Sequence, residues 1–598
     1  MKKIGILFCV SLILLMAAGT VFATGGRETA PASSAAPASP GASATPYNLP
    51  RNQTLYFNGL QWGAPSGYNP YVGNASNFSN NGHRQLVYET LMVFNLLDGK
   101  LYPQIADSYA FGGANNRTLT VQLNRNVKFS DGTPLTAADV VYSYELAKKY
   151  SIGNSGFWDY LDSVTAQGDY TVVFQGKAPP SFNMKQMEAA ISEVSITSRA
   201  YWESKIRSGD LGSDPAALGG FAGWDCIGTG PYVNWYHDDT KLVIVRNESY
   251  WGQHSSRYGK LPTPRYIAHN IYRDNAAGDQ AFRNGEIDVS QQFIASIWTF
   301  PNAQTYVPTP PYYIPGVMPS IIFNTKKPGL NDPAVRRAIA MVLDYNMIGT
   351  NAMSGYTAPK QAHMMVPLPA EQALLDNARL APYQWSGIDV AGANKLLDDA
   401  GWVRGTDGIR AKGGVKLDFN VMCPYGWSDW NASCEVVAQS TGAIGIHIVT
   451  RFPEQNIWNS DRFNGTFDIV MDSPGGQGMA SPWSRANAMM GSSYLPPEGT
   501  PNMIGNWGRY SNPQAQALID QIPNETDPAK LRQLWTDLNI IYLQEMPTAG
   551  LMYRPWVFHT VNNSVWTGFP AANDGTNVPP TILIDGYGIK GLYNLRLR

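Results

Sequence analysis

KFSDGTPLTAADVVYS, residues 128–143, changes its hydrophobic period within one short stretch. It closes the run RTLTVQLNRNVKF (117–129), whose apolar residues alternate in period two, as a half-buried strand requires. Ser130-Asp131-Gly132-Thr133-Pro134 then reads as a turn. Thr136, with Asp139 three residues on, caps a helix that buries Val140, Tyr144 and Ala147. Strand, turn and helix in sequence predict an α/β chain.

The same alternation recurs outward from this stretch. DYTVVF (169–174), KLVIVR (241–246) and IGIHIV (444–449) read as apolar strands. Helices are expected from Asp332-Pro333, with Val335, Ile339, Val342 and Leu343 on one face, and over Asp389 to Ala400, ending at Gly401. Two more open at Asn512-Pro513 and Asp527-Pro528. The last, the longest, carries Leu531, Leu534, Trp535, Leu538, Ile541 and Tyr542 on its buried stripe. Arg336 and Arg337 fall on a side expected to face solvent.

With 598 residues and 44% apolar content the chain can build a large core over two to four domains. A net charge of −2 provides no basic field for neutralising phosphates, which argues against nucleic-acid binding. There are 17 Trp and 32 Tyr against 21 Phe, so rings with a polar handle dominate, as suits wet, ligand-facing surfaces.

The N-terminus reads as an export signal: Lys2 and Lys3, an apolar run from Ile4 to Ala18, then Val21-Phe22-Ala23 before a cut after Ala23. Cys9 lies inside that run without a Leu-x-x-Cys box, which favours a soluble periplasmic protein over a lipid-anchored one. Residues 24–47 are Ala/Pro/Ser-rich without periodicity and read as a disordered tether. Beyond the signal, Cys226, Cys423 and Cys434 remain, an odd number. Cys423 and Cys434 could pair, although three small buried hydrophobes are the preferred reading.

Searches for chemistry are negative. The His residues lack metal-ligand spacing, and no CxxC, G-x-S-x-G elbow or P-loop occurs. No cofactor is expected. A glycan-processing enzyme would need paired carboxylates, for which Asp225 and Asp472 are the best candidates, with surface acids the favoured reading.

Several segments resemble, in order, the family 5 extracellular solute-binding proteins, the peptide- and nickel-binding class of ABC importers. Beside 128–143 these are YPQIADSYAF (102–111), IGTGPYV (227–233), VRNESYWG (245–252), FRNGEIDV (282–289), IIFNTKKPGLNDPAVRRAIAMVLD (321–344) and GANKLLDDAGW (392–402). The resemblance runs from about residue 50 to the C-terminus. It implies a type II, two-lobed periplasmic-binding-protein-like fold with mixed sheets and hinge-linked lobes, a monomer serving membrane permease subunits. Domain I would comprise 48–88, 196–321 and 554–598; domain II 89–195; domain III 322–553. Chain crossings near Ile322 to Thr325 and Tyr553 to Pro555 would form the hinge.

The resemblance also bears on cargo. Peptide-binding members carry an Asp, in the loop after a Phe-Asp-(Ile/Val) strand, that pairs with the peptide α-ammonium. Here the strand is FDIVMD (467–472) and the loop SPGGQGMASPWS (473–484); Gln477 falls at the expected position and the loop holds no acid. A buried ammonium without a partner is costly. Asp472 would serve only by a shifted register.

A neutral oligosaccharide, of cello- or manno- type, fits better. NGLQWGAPSGYNPY (58–71) is similar to the N-terminal segment of the sugar-binding members, which implies that Trp62, Tyr68, Asn69 and Tyr71 line the cleft. Trp224, Trp427 and Trp483 are further candidates for stacking, with Gln477 for hydrogen bonding. Oligopeptide cargo is the alternative, and a nickel chelate a weaker one.

Overall fold

The computed structural model describes residues 45–60, 63–65, 67–71, 85–152, 154–179, 181–209, 211, 218, 220–358, 360–475, 478–493, 495–502, 505–580 and 586–598. The expected export signal, the tether up to residue 44, and the candidates Trp62 and Gln477 lie outside the described residues. Pro46–Arg598 forms one unit.

The stretch 128–143 folds as read. Thr136 and Asp139 form a reciprocal capping box at the start of Ala137–Tyr150, whose Val140, Tyr144 and Ala147 are buried. The turn before the helix is tied to a distant one, since Ser130 N donates to Gly228 O at 2.9 Å. Gly228 and Gly230 leave no room for a side chain, because a Cβ on either would collide with the carbonyls of Val87 and Leu86. Glu89, fully buried just beyond, accepts from Tyr250 Oη at 2.6 Å and Trp251 Nε1 at 2.8 Å. Gln104 Nε2 donates to the same carboxylate, so the segments 102–111, 128–143 and 227–252 are tied together.

Three larger sheets organise the body. A seven-stranded sheet runs in the order Ala303–Gln304, Thr560–Asn562, Val289–Ser290, Thr54–Asn58, Tyr266–Asn270, Lys241–Arg246, Tyr232–His237. Its central strand Thr54–Asn58 is parallel to both neighbours, with Phe57 opposite His269 and Val289. A four-stranded antiparallel sheet orders Ala106–Gly112, Thr118–Leu123, Thr171–Gly176, Leu161–Ala166. In it Leu119, Val121 and Leu123 alternate inward as predicted, under the helix Ala137–Tyr150. A five-stranded sheet orders His447–Arg451, Asp418–Met422, Ile469–Asp472, Ser320–Phe323, Thr548–Gly550. Its first three strands are parallel, its last three antiparallel.

The expected helices appear at Pro333–Val342, Val390–Asp399, Pro513–Gln521 and Pro528–Glu545, three of them with Pro in the first turn behind an Asp or Asn cap. The strand expected at 444–449 begins later, at His447, because Gly442–Ile444 closes the preceding helix as a 3₁₀ turn. Arg336 corrects an expectation. It is 2% exposed, and its guanidinium donates to Glu545 O, Met546 O and Leu330 O. It thus satisfies carbonyls that the end of Pro528–Glu545 leaves without intrahelical partners. Arg337 is half-buried, with Nη2 on Tyr383 O. Cys423 and Cys434 are buried free thiols and Cys226 is a half-buried one, so the preferred cysteine reading holds and the possible bridge is not formed.

Candidate functional site

Parallel strands leave a crevice at their carboxyl ends, where the chain turns away and exposes backbone and loop side chains. Two such sets face each other here. From the seven-stranded sheet, Leu60 follows Thr54–Asn58 and Gln291, Gln292 and Phe293 follow Val289–Ser290. From the five-stranded sheet, Trp427, Asp429 and Trp430 follow Asp418–Met422, and Ser473 follows Ile469–Asp472. The cleft between them has about 790 Å³ of empty space. It is floored by Val317 and Arg554, whose backbones pair at 3.0 and 3.1 Å where the two connections between the sheets run side by side.

Both carboxylates of the cleft are matched by guanidinium groups. Asp429 Oδ2 lies 3.2 Å from Arg554 Nη2, with side chains 4% and 16% exposed. Asp472 pairs with Arg462, which is sandwiched 4.2 Å from the ring centres of both Trp458 and Trp507. Burial raises the carboxyl pKa of Asp429 and Asp472, while the paired arginines oppose the rise. Arg554 is likewise held below its ordinary pKa by burial, and it lies 4.5 Å over the Phe558 ring.

The remaining polar groups are neutral. Gln292 is held by Asn58 Nδ2 at 3.1 Å and donates to Asn275 O and Asp279 Oδ1. Asn275 Nδ2 donates across the cleft to Ser428 Oγ at 3.0 Å. Among the described residues, Trp430 Nε1, Ser473 Oγ, Arg554 Nε and Asp429 Oδ2 are buried without a hydrogen-bond partner, so Asp429 meets Arg554 by charge alone. A buried polar atom left unpaired costs about 1–3 kcal/mol, so these are places where a ligand's own groups are welcome. Trp427 and Trp430 meet edge to face at 5.0 Å and supply the aromatic wall.

The expected site residues are dispersed. Trp427 lines this cleft. Trp483 is buried, its Nε1 donating to Ile519 O at 2.8 Å, and it borders two other grooves beside Tyr160. Tyr68, Asn69 and Tyr71 depart from expectation, because neighbouring chain buries them: Tyr68 packs between Trp224 and His237, each 4.6 Å away. Asn69 donates to Phe221 O and accepts from Tyr71 N, and Tyr71 Oη meets Thr197 Oγ1 at 3.0 Å. Trp224 is half-buried in that same packing. Asp225 is exposed and paired with Tyr201 and Lys205 and does not line the cleft that Asp472 lines, so the cleft does not bring these two carboxylates together. Asp429, Gln292, Arg554 and Trp556 were not singled out by sequence reasoning. The usable signal was position, since each of the first two follows the end of a short apolar strand and Arg554 sits in an expected crossing.

Comparison with known proteins agrees with this architecture. The profile of bacterial extracellular solute-binding proteins, family 5, matches residues 100–494. The chain belongs to that family. The periplasmic oligopeptide-binding protein OppA of Escherichia coli is 24% identical over 79% of this chain and 83% of its own. Protein XP55 of Streptomyces lividans is 27% identical, over 55% of each chain. Among solved structures, a periplasmic oligopeptide-binding protein of Thermotoga maritima, crystallised with mannohexaose, superposes with a TM-score of 0.81 at 26% identity, covering 92% of this chain and 99% of that one. AppA of Bacillus subtilis, in complex with a nonapeptide, shares the fold at a TM-score of 0.68 and 18% identity, over 91% and 99%. The fold is thus the two-lobed one of periplasmic binding proteins, and family members are extracytoplasmic binders of solutes. No helix among the described residues is long and apolar enough to cross a membrane.

Proposed function

We propose that this family 5 solute-binding protein of an ABC importer captures a neutral oligosaccharide in the cleft between the two parallel-strand ends and delivers it to the permease. The observation that carries the reading is charge balance. Each acid lining the cleft among the described residues already has an arginine as counter-charge, so a peptide's α-ammonium would have to compete with Arg554 or Arg462 for it. What remains suits hydroxyl groups and the C–H faces of sugar rings: the Trp427 and Trp430 indoles and the Ser473 hydroxyl. The mannohexaose bound to the Thermotoga relative supports the same ligand class.

The seven- and four-stranded sheets would belong to one lobe and the five-stranded sheet to the other, with export preceding cleavage after about Ala23. Affinity of order micromolar, about −8 kcal/mol, is expected. Peptide cargo is the second reading, favoured by the relatives named for oligopeptides. Isothermal titration of wild type and Trp427→Ala separates the two. The sugar reading expects saturable binding of cello- or manno-hexaose that Trp427→Ala weakens at least about tenfold, about 1.4 kcal/mol. Binding of tri- to pentapeptides alone would overturn it.

A further inference from the structure

A second aromatic surface lies outside the cleft. Among the described residues Trp298 is the most exposed Trp, at 59%, and its ring centre lies 6.1 Å from that of Tyr312 with the planes inclined by 30°. Both rings border one groove. It has about 820 Å³ of empty space, in the 300–1,000 Å³ range of small-ligand clefts. Gln304, Thr305 and Asn573 line it too, and among the described residues no charged side chain does. Gln304 Oε1 already accepts from Asn563 Nδ2 and Thr305 Oγ1 donates to Val307 O, each at 2.7 Å, so the groups left to meet a ligand are Gln304 Nε2 and the Asn573 amide. The neighbouring acid, Asp574, is turned into its own loop, where it accepts from Ala571 N and from Thr576 N and Oγ1.

The groove shares no lining residue with the cleft. Between the two stand the rings of Tyr356, Tyr313 and Phe558: Tyr356 lies 6.4 Å from Trp298 and 5.7 Å from the cleft residue Phe293. The groove is also held in costly backbone. Ser296, Asn302 and Tyr312 all adopt left-handed conformations, with φ of 51°, 61° and 63°. A tyrosine in that region is uncommon, and such strain persists where the surroundings enforce it. A large indole left in water beside a tyrosine ring, with uncharged amides in the same groove, suits a pyranose: C–H groups for the rings, hydroxyls for the amides.

We infer that the Trp298–Tyr312 groove is a second, surface carbohydrate site that holds a neutral glycan chain independently of the cleft. The site stands whatever cargo the cleft takes.

The test is native affinity electrophoresis of the full chain through gels containing hydroxyethylcellulose, glucomannan or a soluble β-1,3-glucan. The expected result is retardation by at least one polymer that is unchanged in Trp427→Ala, the variant that impairs the cleft. Trp298→Ala should abolish it at unchanged melting temperature. Asn573→Arg, on an exposed loop, charges and fills the groove, and should abolish it too. No retardation by any polymer, retardation lost in Trp427→Ala, or retardation as strong as wild type in both Trp298→Ala and Asn573→Arg would overturn the site. So would retention on an immobilised proline-rich peptide with none on the glycans.

Discussion

Trp427 and Trp224 look alike in sequence, each beside a Gly or an Asp in a turn-rich stretch, yet they have different surroundings. Trp427 faces the cleft, whereas Trp224 packs on Tyr68 and His237. Trp224→Ala should therefore lower stability by about 2–4 kcal/mol and leave ligand affinity within about threefold, read by urea unfolding and titration. Asp472 offers a sharper contrast. Removing its charge leaves Arg462 buried and unpaired, so Asp472→Asn should cost about 3–5 kcal/mol of stability while changing sugar affinity little. A large loss of sugar affinity with unchanged stability would place Asp472 on the ligand instead. Trp427 was legible because it follows a readable strand end. Tyr68, Asn69 and Tyr71 were not, because their burial is decided by Ser143, Thr197 and Phe221, which are distant in sequence. The pairing of Asp429 with Arg554 spans 125 residues and leaves no local signature either.

At the scale of elements, local rules predicted starts better than environments. Asp332, Asn512 and Asp527 cap helices because their side chains accept backbone N–H groups within the first turn, and at Thr136 the Asp139 carboxylate accepts from the cap's own N–H, contacts confined to four residues. Arg336 escaped the same reasoning, since its partners are the carbonyls at the end of another helix. Arg336→Met should destabilise the protein by about 3 kcal/mol or more by orphaning those carbonyls, as chemical unfolding would register. The turns locked around Glu89 make a pH prediction. Burial pushes its carboxyl up to about 7, against the ordinary value of 4.5. The folded protein then holds a proton that the unfolded chain releases, so stability falls as pH rises from about 4.5 to 7 and levels off above. Glu89→Gln should flatten that part of the melting-temperature profile; an unchanged profile would show that Glu89 does not titrate there.

For the molecule as a whole, the α/β architecture and the family were legible from ordered segments that set turns and helix ends, because those contacts recur wherever the fold does. The cargo was less legible, since it depends on which charges meet across sheets. Contacts between distant segments also set the energetics of closure. Asn524 accepts from Met184 N at 3.3 Å and donates to Phe182 O at 2.6 Å, joining a helical turn beside the five-stranded sheet to the region of the four-stranded one. Asn524→Ala should favour an expanded form and raise the dissociation rate several-fold, measured by small-angle scattering and stopped flow. The central claim, a neutral cargo in a charge-balanced cleft, is tested most directly by titrating tryptophan fluorescence with two panels, cello-, laminari-, manno- and xylo-oligosaccharides against di- to pentapeptides. The account predicts saturable quenching by one sugar series, with the sugar recovered intact. A response to peptides alone would contradict it.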